Sequence, residues 1–168
     1  MKERTLRRRC KRELQALDIQ PPLQVDALCR ELAQHRGRPI HLVPYSLPVP
    51  GPFGIWIATS ASDYIIYQRE TTKPHQDHII LHEVGHILAG HDGVEDLWGL
   101  MMPDIAPQAI RRALRRTSYD QEHEREAELV ATIILQWASV LNRVAPPPPE
   151  DMSVRRLHTA LGDRQGWL

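Results

Sequence analysis

The segment His78–His91, HIILHEVGHILAGH, constrains this chain more than any other stretch of it. Ile79, Ile80, Leu81, Val84, Ile87 and Leu88 form an apolar run around His82, Glu83 and His86. Three ionisable groups in such a run are expensive to bury unless a metal or hydrogen bonds satisfy them. On a helix His82 and His86 stand at i and i+4, one turn apart on one face, where two imidazoles can converge on a single Zn²⁺. Glu83, next along the helix, can then take the proton of a water attacking a carbonyl. Gly85 weakens this helix by about 1 kcal/mol relative to alanine, and close packing near the metal position is one reason to keep it.

The rest of the composition is ordinary. At 168 residues the chain is long enough for one domain with a modest tail and needs neither disulfide nor metal merely to fold. Twenty-one basic and 21 acidic residues cancel, so no global charge draws it to nucleic acid or anionic membrane. Aromatics, at 5%, are too sparse for a base-stacking surface. Cys10 and Cys29 are too few for a disulfide framework and read as thiols of a reducing compartment. The basic N-terminus lacks the apolar stretch of a secretory signal, and no run of 18 apolar residues occurs. Together these features lead us to expect a cytoplasmic protein.

Residues 2–17 and 23–36 read as two helices joined by Pro21-Pro22, the second stopping at Gly37. Ile40–Val43, Gly54–Thr59 and Tyr64–Gln68 read as strands, the last two across a turn too short for a crossover. Thr72 is placed to cap the helix that carries the histidines, with Pro74 in its first turn and Gly90 at its stop. After a loop over 91–103 and a short arginine-rich helix, Ser118 and Gln121 make a capping box opening a long helix to about Val144. Four prolines, 146–149, end it, and a small tail helix over 152–161 follows. The pattern predicts a helix-rich α+β fold with a small, mainly antiparallel sheet beside the histidine helix. It divides into an N-terminal helical segment (1–37), a core (38–145) and a proline-rich linker with a C-terminal tail (146–168).

A catalytic zinc usually keeps three protein ligands and an open position. Glu124 is one candidate for the third. It lies at the margin of an apolar stripe formed by Ala127, Ala131, Ile134 and Ala138. Five acidic residues from Asp120 to Glu128 repel one another, which a divalent cation would relieve. Periodicity alone does not separate Glu124 from Glu126, and a solvated acidic face at a helix N-terminus is the bland alternative. Asp92 competes through an HExxHxxGxxH/D-like spacing, although Ala89 stands where that pattern has glycine. Glu128 is placed to orient a ligating histidine, and Tyr119 or His123 to stabilise an oxyanion. His78 and His91 read as exposed or locally hydrogen-bonded.

The order of a strand ending YIIYQ, then HIILHEVGHILAGH, then EREAELVATIIL, resembles the ImmA/IrrE family of intracellular metallopeptidases over about residues 38–145. The resemblance implies a zincin-like (gluzincin) domain with one zinc per chain, held by His82, His86 and Glu124, and Glu83 as general base. It also implies a protein substrate, a helix-turn-helix transcriptional repressor or similar regulator. Glu128 stands where the family often has Asn or Asp, and Val130 where it has Phe.

Two further classes compete with a peptidase. Seven basic against two acidic residues between positions 2 and 13 give this arm a net charge of +5. Such an arm would suit a DNA- or partner-binding module; Arg111, Arg112, Arg115 and Arg116 form a second basic face, which could instead answer the acidic segment that follows. More often such runs are solvated helix faces, and direct nucleic-acid binding is not expected. A non-catalytic metal-dependent regulator is the other reading. Glu83 argues against it, because a structural site has no use for a general base.

Overall fold

The structure, a computed structural model, describes residues 3–93 and 121–144. These residues form α1 (Glu3–Ala16), α2 (Val25–Arg36), β1 (Ile40–Tyr45), β2 (Gly54–Ala58), β3 (Asp63–Gln68), α3 (Lys73–Ala89) and α4 (Gln121–Val144). The architecture is α+β, four helices beside a three-stranded sheet. The arginine-rich helix, the Ser118 cap, Tyr119, the polyproline stretch and the tail helix all lie outside the described residues.

α3 is the central element. Every residue from Ile79 to Ala89 except His82 is buried, as expected of a helix that is apolar all round. It packs into one core with Leu6, Cys10 and Leu14 of α1, Leu28, Cys29 and Leu32 of α2, Trp56 and Ile65 of the sheet, and Val130, Ala131 and Ile134 of α4. The N-terminal helices thus share the core of the metal-motif helix. Arg9, from the basic arm, lies against the C-terminal end of α3, its Nη1 3.4 Å from the Ala89 carbonyl. A cation is favourable there, where the helix presents free carbonyls.

The sheet corrects one expectation. It is mixed rather than mainly antiparallel, with strand order β1-β3-β2. β2 and β3 form the anticipated antiparallel hairpin, with Trp56 opposite Ile65. β1 pairs parallel to β3, Ile40 opposite Asp63 and Tyr45 opposite Gln68. The chain reverses twice, through the loop 46–53 and again through the turn 59–62, and β3 inserts between the two earlier strands. β1 also runs on to Tyr45 through Pro44, which an edge strand tolerates because proline's missing donor faces no partner. Side chains alternate across the sheet. Trp56 and Ile65 face α3, while Ile55, Ile57 and Ile66 pack with Leu47 on the other face.

Two buried polar groups pin this arrangement. Asp63 is fully buried; it accepts from Arg36 Nη1 at 2.7 Å and the Trp56 indole at 3.1 Å, and it pairs ionically with Arg38, whose Nε stands 3.0 Å away. It ties the end of α2, the entry to β1 and the β2–β3 hairpin together. The Gln68 side chain donates to the Leu47 carbonyl at 2.9 Å and accepts from the Leu47 amide at 3.3 Å. Those bonds hold the loop that carries Pro52 and Phe53.

Thr72 takes the N-cap position of α3 in extended geometry, but its side chain makes no capping bond. Pro74 removes one of the amides that such a cap would satisfy. The Gln76 side chain instead donates back to the Arg69 and Thr71 carbonyls. At the other end Gly90 adopts φ 76°, the left-handed conformation that glycine reaches without strain. Among the described residues no helix is long and apolar enough to cross a membrane.

Candidate metal centre

α3 and α4 pack against each other at a point where only glycine fits. A Cβ on Gly85 would sit 2.4 Å from the Ala127 carbonyl oxygen and 2.9 Å from its Cα. The mid-helix glycine, for which close packing was the expected reason, is the contact through which α4 reaches the histidines.

That approach brings three groups together. His82 Nε2 lies 3.1 Å from Glu124 Oε2, His86 Nε2 lies 3.2 Å from His82 Nε2, and Glu124 Oε1 lies 3.6 Å from His86 Nε2. One ligand atom from each falls within 4.8 Å of the others, and the group could hold a metal ion. Two imidazole nitrogens and a carboxylate suit zinc chemically, and also Mn²⁺ or Fe²⁺. The histidines differ in environment. His86 is fully buried, His82 partly so, and the Glu124 side chain is 46% exposed. Burial, reinforced by His82, His91 and His123 nearby, pushes the His86 imidazole down to about 3. Its neutral form, the one a metal needs, is the form the fold selects.

Glu83 points from α3 toward β2. It is buried, and its Oε2 has no hydrogen-bond partner among the described residues. Burial, followed by the charge of Glu124, pushes its carboxyl up to about 8, against the Trp56 backbone amide that donates to it. Gly54 makes room for it, since a Cβ there would lie 2.6 Å from Glu83 Oε1. A cleft of about 260 Å³ opens beside these groups, walled on its apolar side by Pro52, Phe53 and Ile79.

The other sequence candidates fall outside the triad. Asp92 is exposed and is not part of the ligand group. Glu126 turns to His91, its Oε2 2.9 Å from His91 Nε2. Glu128 Oε2 stands 3.5 Å from both His82 Nδ1 and His78 Nε2. His123 stacks on His91, ring centroids 4.1 Å apart.

Sequence reasoning did not find the role of His91. Its ring is buried, with Nδ1 2.9 Å from His86 Nδ1. The signal was Gly90: after a left-handed cap the chain turns back, and the His91 amide donates to the His86 carbonyl at 3.1 Å. Compared with protein-family models, curated proteins and solved structures, the chain matches none of them.

Proposed function

We propose that this chain is a zinc-dependent intracellular metalloendopeptidase of the ImmA/IrrE kind. One observation carries the reading: a His82–His86–Glu124 group able to hold a metal adjoins a buried Glu83 whose Oε2 has no partner among the described residues. A structural metal site tends to close with four ligands and has no use for a neighbouring carboxylate. A hydrolytic one needs both an open position and a base.

Zinc held by these three groups supplies Lewis acidity, which polarises a carbonyl and acidifies water. A cation on these ligands would counter the burial and the Glu124 charge that raise the Glu83 carboxyl, so that Glu83 would be ionised. It could then take the proton of the attacking water and hand it to the departing amine. Glu124 completes the ligand set from a second helix, so the set exists only when α3 and α4 are packed. Pro52, Phe53 and Ile79 accept an apolar side chain of the substrate, and β2, at the sheet edge, offers main-chain groups to an extended segment. The substrate is a helix-turn-helix repressor or similar regulatory protein.

The test is zinc content by elemental analysis, read together with cleavage of a panel of purified helix-turn-helix repressors. Wild type is expected to hold one zinc. Glu124→Ala should lose it and Asp92→Ala should keep it. Glu83→Gln should retain zinc while turnover falls about 10²- to 10⁴-fold. Zinc lost only in Asp92→Ala, or undiminished cleavage by Glu83→Gln, refutes the assignment.

A further inference from the structure

We infer that His91 and Glu126 form a relay behind the metal group that holds His86 in its ligating tautomer; the inference rests on the metal reading above. It starts from a proton count. His86 Nδ1 and His91 Nδ1 stand 2.9 Å apart, a hydrogen-bond distance between two ring nitrogens. One proton, and only one, belongs between them.

The far sides of the two rings decide which nitrogen carries it. His86 Nε2 faces His82 Nε2 and Glu124 Oε1, so a metal there needs the lone pair on Nε2. The proton of neutral His86 is then on Nδ1 and is donated to His91 Nδ1. A neutral His91 that accepts at Nδ1 carries its own proton on Nε2. That nitrogen lies 2.9 Å from Glu126 Oε2, an acceptor. The chain of donors closes without a mismatch, from a carboxylate on α4 through two imidazoles to the ligand nitrogen. The reverse assignment puts a proton on His86 Nε2, where the ligand lone pair is needed, and turns the lone pair of a neutral His91 toward a carboxylate.

The relay is built rather than incidental. His91 and Glu126 side chains are 4% and 11% exposed, so water competes little for either. The left-handed Gly90 folds His91 back beneath His86, and the His123 ring stacks at 23° on the His91 ring and sets its plane. A partner on the second nitrogen of a ligating histidine orients the ring and raises its basicity. Glu126 and His91 are positioning residues: both act on the metal through His86.

The experiment measures zinc affinity by competition with a chelating dye and the visible spectrum of the Co²⁺-loaded protein. Both are read for wild type, His91→Phe, His91→Asn, Glu126→Gln and His82→Ala, with the folded fraction of each followed by circular dichroism. His91→Phe fills the space without an acceptor and should weaken zinc binding about 10- to 100-fold and shift the Co²⁺ bands. His91→Asn keeps an oxygen near the lost Nδ1 and should recover part of the loss. Glu126→Gln leaves a neutral acceptor and should fall between wild type and His91→Asn. Equal affinity in wild type and His91→Phe overturns the relay, as does equal loss in the Phe and Asn variants tracking only their folded fractions. A wild type that binds no zinc, or a His82→Ala variant that binds it unchanged, overturns the metal reading and the relay with it.

Discussion

Replacing Gly85 by alanine sets two opposed effects against each other. Alanine in a helix interior is about 1 kcal/mol better than glycine, so on propensity alone the variant is more stable. The packing opposes it. The new methyl group would lie 2.4 Å from the Ala127 carbonyl oxygen and 2.9 Å from both the carbonyl carbon and Cα, all backbone atoms of α4. Ordinary contact begins at 3.4 Å, so α4 must withdraw by about 1 Å, because no rotamer change can relieve a clash with backbone. Overpacking of this kind costs about 1–3 kcal/mol, and the rigid helix leaves little room for the low end. We expect Gly85→Ala to lower stability by about 1–2 kcal/mol net, read as a reduced urea midpoint at unchanged slope. The same displacement carries Glu124 away from His82 and His86. Metal bond lengths tolerate only about 0.2 Å, so zinc affinity should drop by on the order of tenfold or more. A variant as stable as wild type that binds zinc equally well would refute the claim that this glycine sets the distance between the two halves of the site.

Three other outcomes follow from the same structure. Asp63→Asn keeps the shape of a side chain that is 1% exposed but removes the charge facing Arg36 and Arg38. Breaking a buried pair costs about 3–5 kcal/mol, and since both arginines are more than a quarter exposed the low end, about 3 kcal/mol, is expected; an unshifted urea midpoint would contradict it. Gly54→Ala places a methyl 2.6 Å from Glu83 Oε1 and 2.7 Å from Ile79 Cγ2. These are side-chain atoms that can move, so turnover should suffer more than stability, and zinc content should not change. Burial pushes the Cys10 and Cys29 thiols up to about 11 and about 12. Since the thiolate is the reactive form, iodoacetamide at pH 8 should label both cysteines in urea and neither in the native protein, by mass spectrometry.

The elements were legible where one local cue decided them. Gly37 and Gly90 stop their helices in the left-handed conformation, and the β2–β3 hairpin follows from a turn too short for anything else. The parallel pairing of β1 was not legible, because it depends on where β3 inserts after two reversals, and neither reversal constrains the partner of β1. The same division runs through the site. His82, Glu83 and His86 are spaced along one helix, so their relation can be read from the sequence. His91 is placed by a single glycine and by a partner 35 residues away. Thr72 shows the opposite case, a favourable cap residue whose side chain makes no capping bond, at a helix start where Pro74 lacks one of the two amides such a cap uses.

The competition between Glu124 and Glu126 has a geometric resolution that a helical wheel does not supply until the contact point is known. Residues two apart on a helix do not share a face, so these two carboxylates cannot both serve one ion. Ala127, pressed against Gly85, fixes which face of α4 meets α3. At 3.6 residues per turn, Glu124 lies about 60° to one side of Ala127 and Glu126 about 100° to the other. The helix therefore straddles α3. One carboxylate falls against Nε2 of His82 and His86, the group that could hold a metal, and the other falls on His91 behind them. Alternating acids ahead of a small residue, which looked in the sequence like a surplus of negative charge, are what a helix needs to grip a histidine pair from front and back. Engaging both ends of the grip offsets part of the repulsion among these carboxylates. Helix packing and the metal group are therefore coupled: whatever loosens α4 at Ala127 disengages Glu124 and Glu126 together.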